Sequence, residues 1–322
     1  MNPSAYAELH AHSDHSLLDG VVPPEELATR AANLGLVALA LTDHDALYGA
    51  VRFAMGAREA GIKPLLGAEM TLDDGSHLTL LVETARGYAN LCRLITRARR
   101  GQEKGMACLA HEELAAHSTG LIALSGCRRG RIAQLLSAGQ YERAQRAARD
   151  FARIFGPQSF YIELQHHHHR GDSRLLNDLV TLAQELQLKT VATGNVHYLC
   201  PQQREVHDVL TCIRHRTTLD DAGALLRSNA EYFLHSPEEM ETLFARFPAA
   251  LENGLEIAAR CAPADGLLPR GAQTLPRFPT PAGEPSDTYL RALCLQALRY
   301  RYPQSPPLAL LERELAVIGQ AG

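Results

Sequence analysis

The sequence has 322 residues, of which 46% are apolar, and its formal net charge is -4 at pH 7. This length and apolar content predict a globular protein with one large domain, or with a large and a small one. The charge excludes a strongly basic chain, so any nucleic acid has to be bound by local patches.

The cysteines and the apolar runs indicate the cellular compartment. Seven cysteines are present, and none of them stands in a C-x-x-C spacing. This pattern argues against a disulfide framework and for a reducing environment, so we expect a cytoplasmic protein. The sequence shows neither the apolar core of a signal peptide nor an apolar run of ~18 residues, so we expect no membrane association.

Short apolar runs alternate with segments of helical period, which is the pattern of parallel strands joined by helical crossovers. The predicted strands cover residues 7–11, 37–41, 64–72, 78–82, 121–124, 160–164 and 190–192. The predicted helices cover residues 24–33, 47–59, 88–100, 132–136, 141–154 and 173–186. About seven strand units predict a barrel, and a turn at residues 72–75 predicts a hairpin that makes the barrel irregular.

The C-terminal part differs in composition from the barrel region. Residues 263–287 are rich in Pro, Gly and polar residues, which predicts a linker or an extended strap. Two amphipathic helices are predicted after it, over residues 288–300 and 308–318, and Asp287 is a candidate cap of the first. We therefore expect a main domain of residues 1–262, a linker of residues 263–287 and a helical segment of residues 288–322.

Two histidines in the first predicted strand, His10 and His12, are separated by one residue. In an extended strand such residues point to the same face, so both imidazoles can reach one cation. Burying two imidazoles in an apolar strand without a partner is costly, which favours a metal site over a structural role.

Further candidate ligands lie at or just after the carboxyl ends of predicted strands, where barrel enzymes assemble their sites. These residues are His12, Asp43, His44, Glu69, Cys127, His167, Asn195 and His197. Asp19 is either a ligand or the cap of the helix that follows it. Cys127 is either an acyl-transfer nucleophile or a small buried side chain. His77 begins a strand instead of ending one, so its spacing alone does not select it.

A group of basic residues follows Cys127 closely and consists of Arg128, Arg129 and Arg131. Arginines beside a metal cleft can hold a phosphate group with two hydrogen bonds each, and His167 is a further candidate for the same contact. We therefore expect these four residues to contact a phosphate or a DNA strand. A second basic group, Arg97 to Lys104, is explained equally well by surface solubility.

At this point a family resemblance becomes visible in six short motifs. They are Leu9-His-Ala-His-Ser13, Leu17-Leu-Asp-Gly20, Leu41-Thr-Asp-His44, Gly67-Ala-Glu69, Leu124-Ser-Gly-Cys127 and Thr193-Gly-Asn-Val-His-Tyr198. In this order they resemble the motifs of the polymerase and histidinol phosphatase (PHP) superfamily. More narrowly, they resemble the N-terminal region of the alpha subunit of bacterial DNA polymerase III. Residues 207–261 are similar to the error-prone form of that polymerase.

The resemblance implies an α/β fold, a distorted (β/α)7 barrel with a helical and extended C-terminal extension, and up to three divalent metal ions. It assigns the first ion to His10, His12, Glu69 and Asn195, the second to Glu69, His77 and Cys127, and the third to Asp19, His44 and His197. It also implies that Asp43 orients neighbouring ligands. The departure from the family pattern is Asn195, where an aspartate is usual, so the first ion is bound with one negative charge less.

Such a cluster is suited to the hydrolysis of a phosphoester, because several divalent ions outweigh the charge of their ligands. Imidazoles with one thiolate favour zinc, with manganese or iron as alternatives. The family context implies a DNA 3′ end as substrate, hence a 3′ to 5′ exonuclease. The residues expected to carry the reaction are His10, His12, Asp19, Asp43, His44, Glu69 and His197.

Two alternatives stay open. One is a small-molecule phosphatase like the histidinol phosphatases, and the other is a metal-stabilised module that braces a polymerase without turnover. In related polymerases the chain continues into the polymerase core, which is the expected partner. Residues 288–322 resemble the start of that core, and we found none of the carboxylate motifs that bind nucleotide and magnesium. We therefore expect no polymerase activity, in either a fragment or a free-standing relative.

Overall fold

The computed structural model describes residues 5–268 and 278–321. The chain divides into two compact units, residues 1–268 and residues 269–322. Residues 269–277 of the predicted linker lie outside the described residues, so the expected three-part division stays a prediction.

Within the described residues, the first unit contains one sheet of seven strands in chain order. The strands are β1 (Ala7–Ala11), β2 (Ala38–Leu41), β3 (Lys63–Thr71), β4 (His77–Val82), β5 (Leu121–Leu124), β6 (Phe160–Leu164) and β7 (Lys189–Ala192). Neighbouring strands are parallel except in the β3–β4 and β4–β5 pairs, which are antiparallel. The predicted α/β fold, a distorted barrel of seven strands with one hairpin, is confirmed.

Twelve α-helices are described in the first unit; the first seven lie between strands of the sheet along the chain, and the last five follow its last strand. They are α1 (Pro24–Asn33), α2 (Ala50–Ala60), α3 (Ala85–Arg99), α4 (His111–His117), α5 (Arg131–Ser137), α6 (Tyr141–Phe155), α7 (Asp172–Glu185), α8 (Arg204–His215), α9 (Leu219–Ala222), α10 (Pro237–Leu243), α11 (Pro248–Arg260) and α12 (Ala264–Leu267). Helix α3 begins three residues before its predicted start, because the Thr84 hydroxyl accepts a hydrogen bond from the Gly87 amide and caps it.

The second unit contains α13 (Ser286–Arg301) and α14 (Leu308–Ala321). The expectation that Asp287 caps the first of them is wrong, because Pro285 stands at the cap position. Asp287 instead lies in the first turn, where its charge complements the helix dipole.

The β3–β4 hairpin determines which end of β4 faces the site. Its register pairs Thr71 with His77 and Glu69 with Thr79. Because the chain reverses at this hairpin, the first residue of β4 lies at the same rim as the last residues of the parallel strands. This reversal brings His77 to the rim although it begins its strand.

The chain that follows β7 joins the end of β1. The Val196 amide donates to the His10 carbonyl over 2.9 Å, and the His12 amide donates to the Val196 carbonyl over 2.8 Å. On the other side of the strands from α1–α7, Ile257 of α11 packs in an apolar cluster with Leu9 and Val191. The first and last strands are therefore held together, and the residues around Val196 face the β1 histidines.

The loop between β5 and Cys127 depends on a glycine. Gly126 has a φ of +87°, and a Cβ at this position would lie 2.4 Å from the His77 carbonyl oxygen.

We expect Gly126→Ala to lower the free energy of unfolding by roughly 1–3 kcal/mol more than Gly139→Ala, measured by urea denaturation. Gly139 is the matched control, because its φ is +71° and a Cβ there meets nothing within 4 Å. Equal losses in the two variants would contradict this account.

Candidate metal centre

The carboxylate of Glu69 lies at the centre of a group of histidines at the rim of the barrel. Its Oε2 is 2.8 Å from His77 Nδ1, 2.9 Å from His44 Nδ1 and 3.9 Å from His12 Nε2. Its Oε1 is 3.3 Å from His10 Nε2. The structure thus brings together five of the predicted ligands, which come from β1, the end of β2, β3 and β4.

Three groups of these side chains have ligand atoms within 4.8 Å of one another, a spacing that allows a shared metal ion. The groups are His10, His12 and Glu69, then His44, Glu69 and His77, then His12, His44 and His197. The first group contains three members of the predicted first ligand set. In the second group His44 joins two members of the predicted second set, and in the third group His12 joins two members of the predicted third set.

Several buried polar atoms in this region have no hydrogen-bond partner within the described residues. They are Nε2 of His10, Nε2 of His12, Oε1 of Glu69 and Oδ1 of Asn195. Buried polar atoms without a partner are costly and are explained by an unobserved ion or water. These four atoms belong to the predicted ligands of the first ion, so the donor set fits a cation.

Glu163 of β6 orients His10 from the side away from Glu69. Its Oε1 lies 2.7 Å from His10 Nδ1, which leaves Nε2 to face Glu69. Burial lowers the pKa of His10, but the charges of Glu163 and Glu69 outweigh it and raise that pKa to about 10. A carboxylate behind a histidine is the arrangement that fixes metal ligands in other proteins. Sequence reasoning missed Glu163, although an acidic residue in the apolar strand Phe160–Leu164 was a signal.

His12 is oriented by Ser16, and Ser16 by Asp43. The Ser16 hydroxyl donates to Asp43 Oδ1 over 2.7 Å, so it accepts at 3.2 Å from the Nδ1–H of His12. His12 Nε2 is then unprotonated and faces Glu69. Asp43 also accepts from the amide and the hydroxyl of Ser13. This geometry supports the expected orienting role of Asp43, which stays a prediction.

Asp19 forms the outer edge of the group. Its Oδ2 is 2.9 Å from His44 Nε2 and 3.8 Å from His197 Nε2. Its Oδ1 is 3.1 Å from Nε2 of His207 on α8, a buried histidine that sequence reasoning missed because no motif marks it. Helix α1 has Pro23 at its cap position, so the alternative that Asp19 caps this helix is wrong.

Cys127 lies beside the same group, with Sγ 3.7 Å from His77 Nδ1. Burial and the charge of Glu69 raise the pKa of its thiol well above the ordinary value. An activated nucleophilic cysteine has a lowered pKa, so the structure disfavours that alternative. The position next to His77 suits a thiol that loses its proton when it binds a cation.

A cavity of about 170 Å³ opens over these residues, and Arg128 and Arg129 line it. Arg131 and His167, the other two residues expected to contact a phosphate, do not line this cavity. Arg131 forms an ion pair with Asp74 and lies outside the lining of this cavity. His167 is buried under Tyr232, and its Nε2 donates to the Gly194 carbonyl over 2.9 Å. The expected phosphate contact of His167 is therefore wrong, because the side chain is buried, whereas a contact of Arg131 with a DNA strand outside the cavity stays a prediction.

Comparison with known proteins now gives the class. Residues 8–167 match the family model of the PHP domain, so the resemblance to this family is confirmed. It is 42% identical over 336 positions to an error-prone DNA polymerase from Symbiobacterium thermophilum, covering 99% of this chain and 31% of that protein. The chain is 41% identical to the error-prone DNA polymerase of Mycobacterium tuberculosis H37Rv, and the match covers 98% of this chain and 30% of that protein.

A further relative is the DNA polymerase III subunit alpha of Pseudomonas aeruginosa, which is 36% identical over 304 positions, with 92% of this chain and 26% of that protein covered. The chain thus spans about a third or less of the length of these curated relatives. Among the helices of residues 5–268 and 278–321, none combines the length and the apolar character that crossing a membrane requires.

We expect Glu163→Gln to weaken metal binding by roughly 10- to 100-fold, because the neutral amide no longer supports His10 electrostatically. Chelator competition with zinc measures the affinity. Glu185→Gln is the matched control, since Glu185 is exposed at the end of α7 and contacts only Tyr141 and Gln145 in the hydrogen bonds described. An equal zinc affinity in the wild type and Glu163→Gln would contradict the role of Glu163.

We expect Asn195→Asp to tighten the first ion by roughly tenfold or more, because a unit charge about 4 Å from another contributes about 1 to 4 kcal/mol. Metal titration with stoichiometry measured by elemental analysis tests this. Asn177→Asp, on α7 and outside the cavity lining, controls for the added charge. Unchanged affinity and stoichiometry would show that residue 195 does not ligate the ion.

Proposed function

We propose that this chain is a metal-dependent phosphoesterase domain that hydrolyses the 3′-terminal phosphodiester of DNA, as a 3′ to 5′ exonuclease. The observation that carries the proposal is the buried Glu69 carboxylate with four imidazole rings within 4 Å of its oxygens. A group of this composition, at the open end of a barrel and beneath a cavity, is suited to several divalent ions.

The proposed ligands are the nine predicted residues, in three sets of which the first two share Glu69. They are His10, His12, Asp19, His44, Glu69, His77, Cys127, Asn195 and His197. The imidazole-rich donor set with one thiol favours zinc, and manganese and iron are the alternatives to be tested. Glu163 and Asp43 support the ligands from the side away from the cavity. Glu163 contacts His10, and Asp43 accepts a hydrogen bond from Ser16, which contacts His12.

When bound, divalent ions stabilise negative charge on phosphoryl oxygens and lower the pKa of water, which is the chemistry that phosphoester hydrolysis needs. The chain's own residues bind and orient the substrate. Arg128 and Arg129 line the cavity and offer donors to the phosphate oxygens. The partner of Arg128 in the protein is Asp172, which fixes the guanidinium at the cavity wall.

DNA is the proposed substrate for two reasons. The relatives are named as DNA polymerases, and the identity extends over almost the whole of this chain. The cavity is also lined by four arginines and only two carboxylates, which favours a polyanion. A polymerase core of the same or a parent chain is the proposed partner. The absence of polymerase activity from these 322 residues and the cytoplasmic location stay predictions.

We expect the chain, loaded with zinc or manganese, to shorten a 3′ end-labelled single strand, and His12→Ala to lower this rate by at least about 100-fold because a ligand of the first ion is lost. Gel analysis of the labelled strand measures the rate. Histidinol phosphate and a generic phosphodiester are the comparison substrates. His117→Ala is the matched control, because the ion pair described for His117 is with Glu113 on the surface helix α4.

The outcomes separate the alternatives. Preference for histidinol phosphate over DNA supports the small-molecule phosphatase. Equal rates for the wild type and His12→Ala on every substrate refute catalysis by this site. If a chelator then still lowers the melting temperature of the wild type, the ions serve folding alone, as in the structural alternative.

A further inference from the structure

An arginine that sequence reasoning missed, Arg227, is stacked at the wall of the metal cavity. Its Cζ lies 3.6 Å from the centroid of the Tyr232 ring. The ring of His167 is 3.9 Å from the same centroid at an angle of 10°. Two groups this close to one ring occupy its opposite faces, so His167, Tyr232 and Arg227 form a three-layer stack. His169 Nε2 lies 3.0 Å from the Tyr232 hydroxyl and anchors the middle layer.

The donors of Arg227 are only partly used by the described part of the protein. Its Nη1 is buried without a hydrogen-bond partner, and its side chain is only 17% exposed. Its Nη2 is 3.8 Å from Asp19 Oδ1, which is too long for a hydrogen bond. A guanidinium nitrogen without an acceptor in a largely buried position is costly, so this geometry indicates an acceptor for Nη1 that the protein itself does not supply.

Neutralising Asp19 does not explain Arg227. Asp19 already has close partners, with His44 Nε2 at 2.9 Å and His207 Nε2 at 3.1 Å. Arg214 of α8 adds a second guanidinium, with Nη1 3.5 Å from Asp19 Oδ2. Arg214 and Arg227 both line the cavity, as do Arg128 and Arg129 of the loop after β5. The cavity therefore has more cationic donors than its two carboxylates require.

We propose that Arg227, supported by Arg214, binds phosphoryl oxygens of the substrate, and that Tyr232 and His167 are positioning residues for it. The identity of the substrate as a phosphoester rests on the proposed function. A planar guanidinium held flat against an aromatic ring keeps its edge donors free for two parallel hydrogen bonds. The phosphate is either the one that is cleaved or its neighbour along a strand.

Binding to a strand that resists hydrolysis tests the contact without requiring turnover. The full chain, loaded with zinc, is titrated against a fluorescein-labelled single strand with phosphorothioate linkages at its 3′ end. We expect Arg227→Gln to bind about tenfold more weakly, and the slope of log affinity against log salt to fall by about 0.7, because one phosphate contact is lost. Arg227→Lys, which retains the charge, keeps most of the slope. The zinc content is expected to be unchanged.

Arg246→Gln is the matched control, because Arg246 also lies over an aromatic ring, Phe247, but outside the cavity. Arg214→Gln is the second variant, at a side chain that is 39% exposed and whose loss the fold tolerates more easily. Wild-type affinity and salt slope in both Arg227→Gln and Arg214→Gln overturn the proposal. The proposal is also overturned if Arg227→Gln binds more weakly with an unchanged salt slope, or if it loses binding together with zinc. Either result shows that Arg227 has a structural role.

Steady-state kinetics decide which phosphate is bound. A rise in KM for an oligonucleotide, with kcat and the constants for a small aryl phosphate unchanged, places Arg227 on a neighbouring phosphate. A fall in kcat on both substrates places it on the phosphate that is cleaved. If the wild type shows no hydrolysis and still binds strands through Arg227, the phosphoesterase proposal fails and the phosphate contact stands. Tyr232→Leu is expected to reproduce part of the Arg227→Gln effect, because the stack is lost.

Discussion

The buried carboxylate of Glu69 is the interaction on which the rest of the site depends. An isolated carboxylate in a protein interior costs several kcal/mol, so it requires compensating charge. Burial raises its pKa, but His77 and His10 outweigh this and hold the pKa well below the ordinary value. The pKa values of His10 and His44 are both raised to about 10. Without cations, protons on these rings balance the carboxylate, so cation binding at this centre is coupled to proton release.

The position of Glu69 requires the antiparallel hairpin as well as the parallel strands. In a regular barrel every rim residue ends a strand, but β4 presents its first residue, His77, because β3 and β4 run in opposite directions. The His77 amide also donates to the Arg129 carbonyl, which ties the hairpin to the loop that carries Cys127. The irregularity of the sheet is therefore what adds His77 to a site that the parallel strands alone leave incomplete.

The sequence was sufficient to predict the strands and to select most of the candidate ligands that the structure brings together, because apolar runs and strand-end positions are local features. His77 was found only through the family resemblance, since the reversal at the hairpin is a property of strand pairing. Glu163 and His207 were missed because their roles depend on which strand or helix packs behind a ligand. His167 was misplaced for the same reason: strand-end position does not reveal that Tyr232 covers it. Local pattern thus predicts the residues that face the cavity better than those that support them.

Asn195 shows how backbone and ligand requirements meet in one residue. Its φ is +48°, in the left-handed region that asparagine tolerates better than most residues. Its carbonyl accepts from Nδ1–H of His197 over 2.8 Å, which leaves His197 Nε2 to face Asp19. Its side-chain Oδ1 has no partner among the described residues and belongs to the predicted first ligand set. Asparagine therefore satisfies the turn and orients His197, while the neutral amide leaves the negative charge opposite His10 and His12 to Glu69.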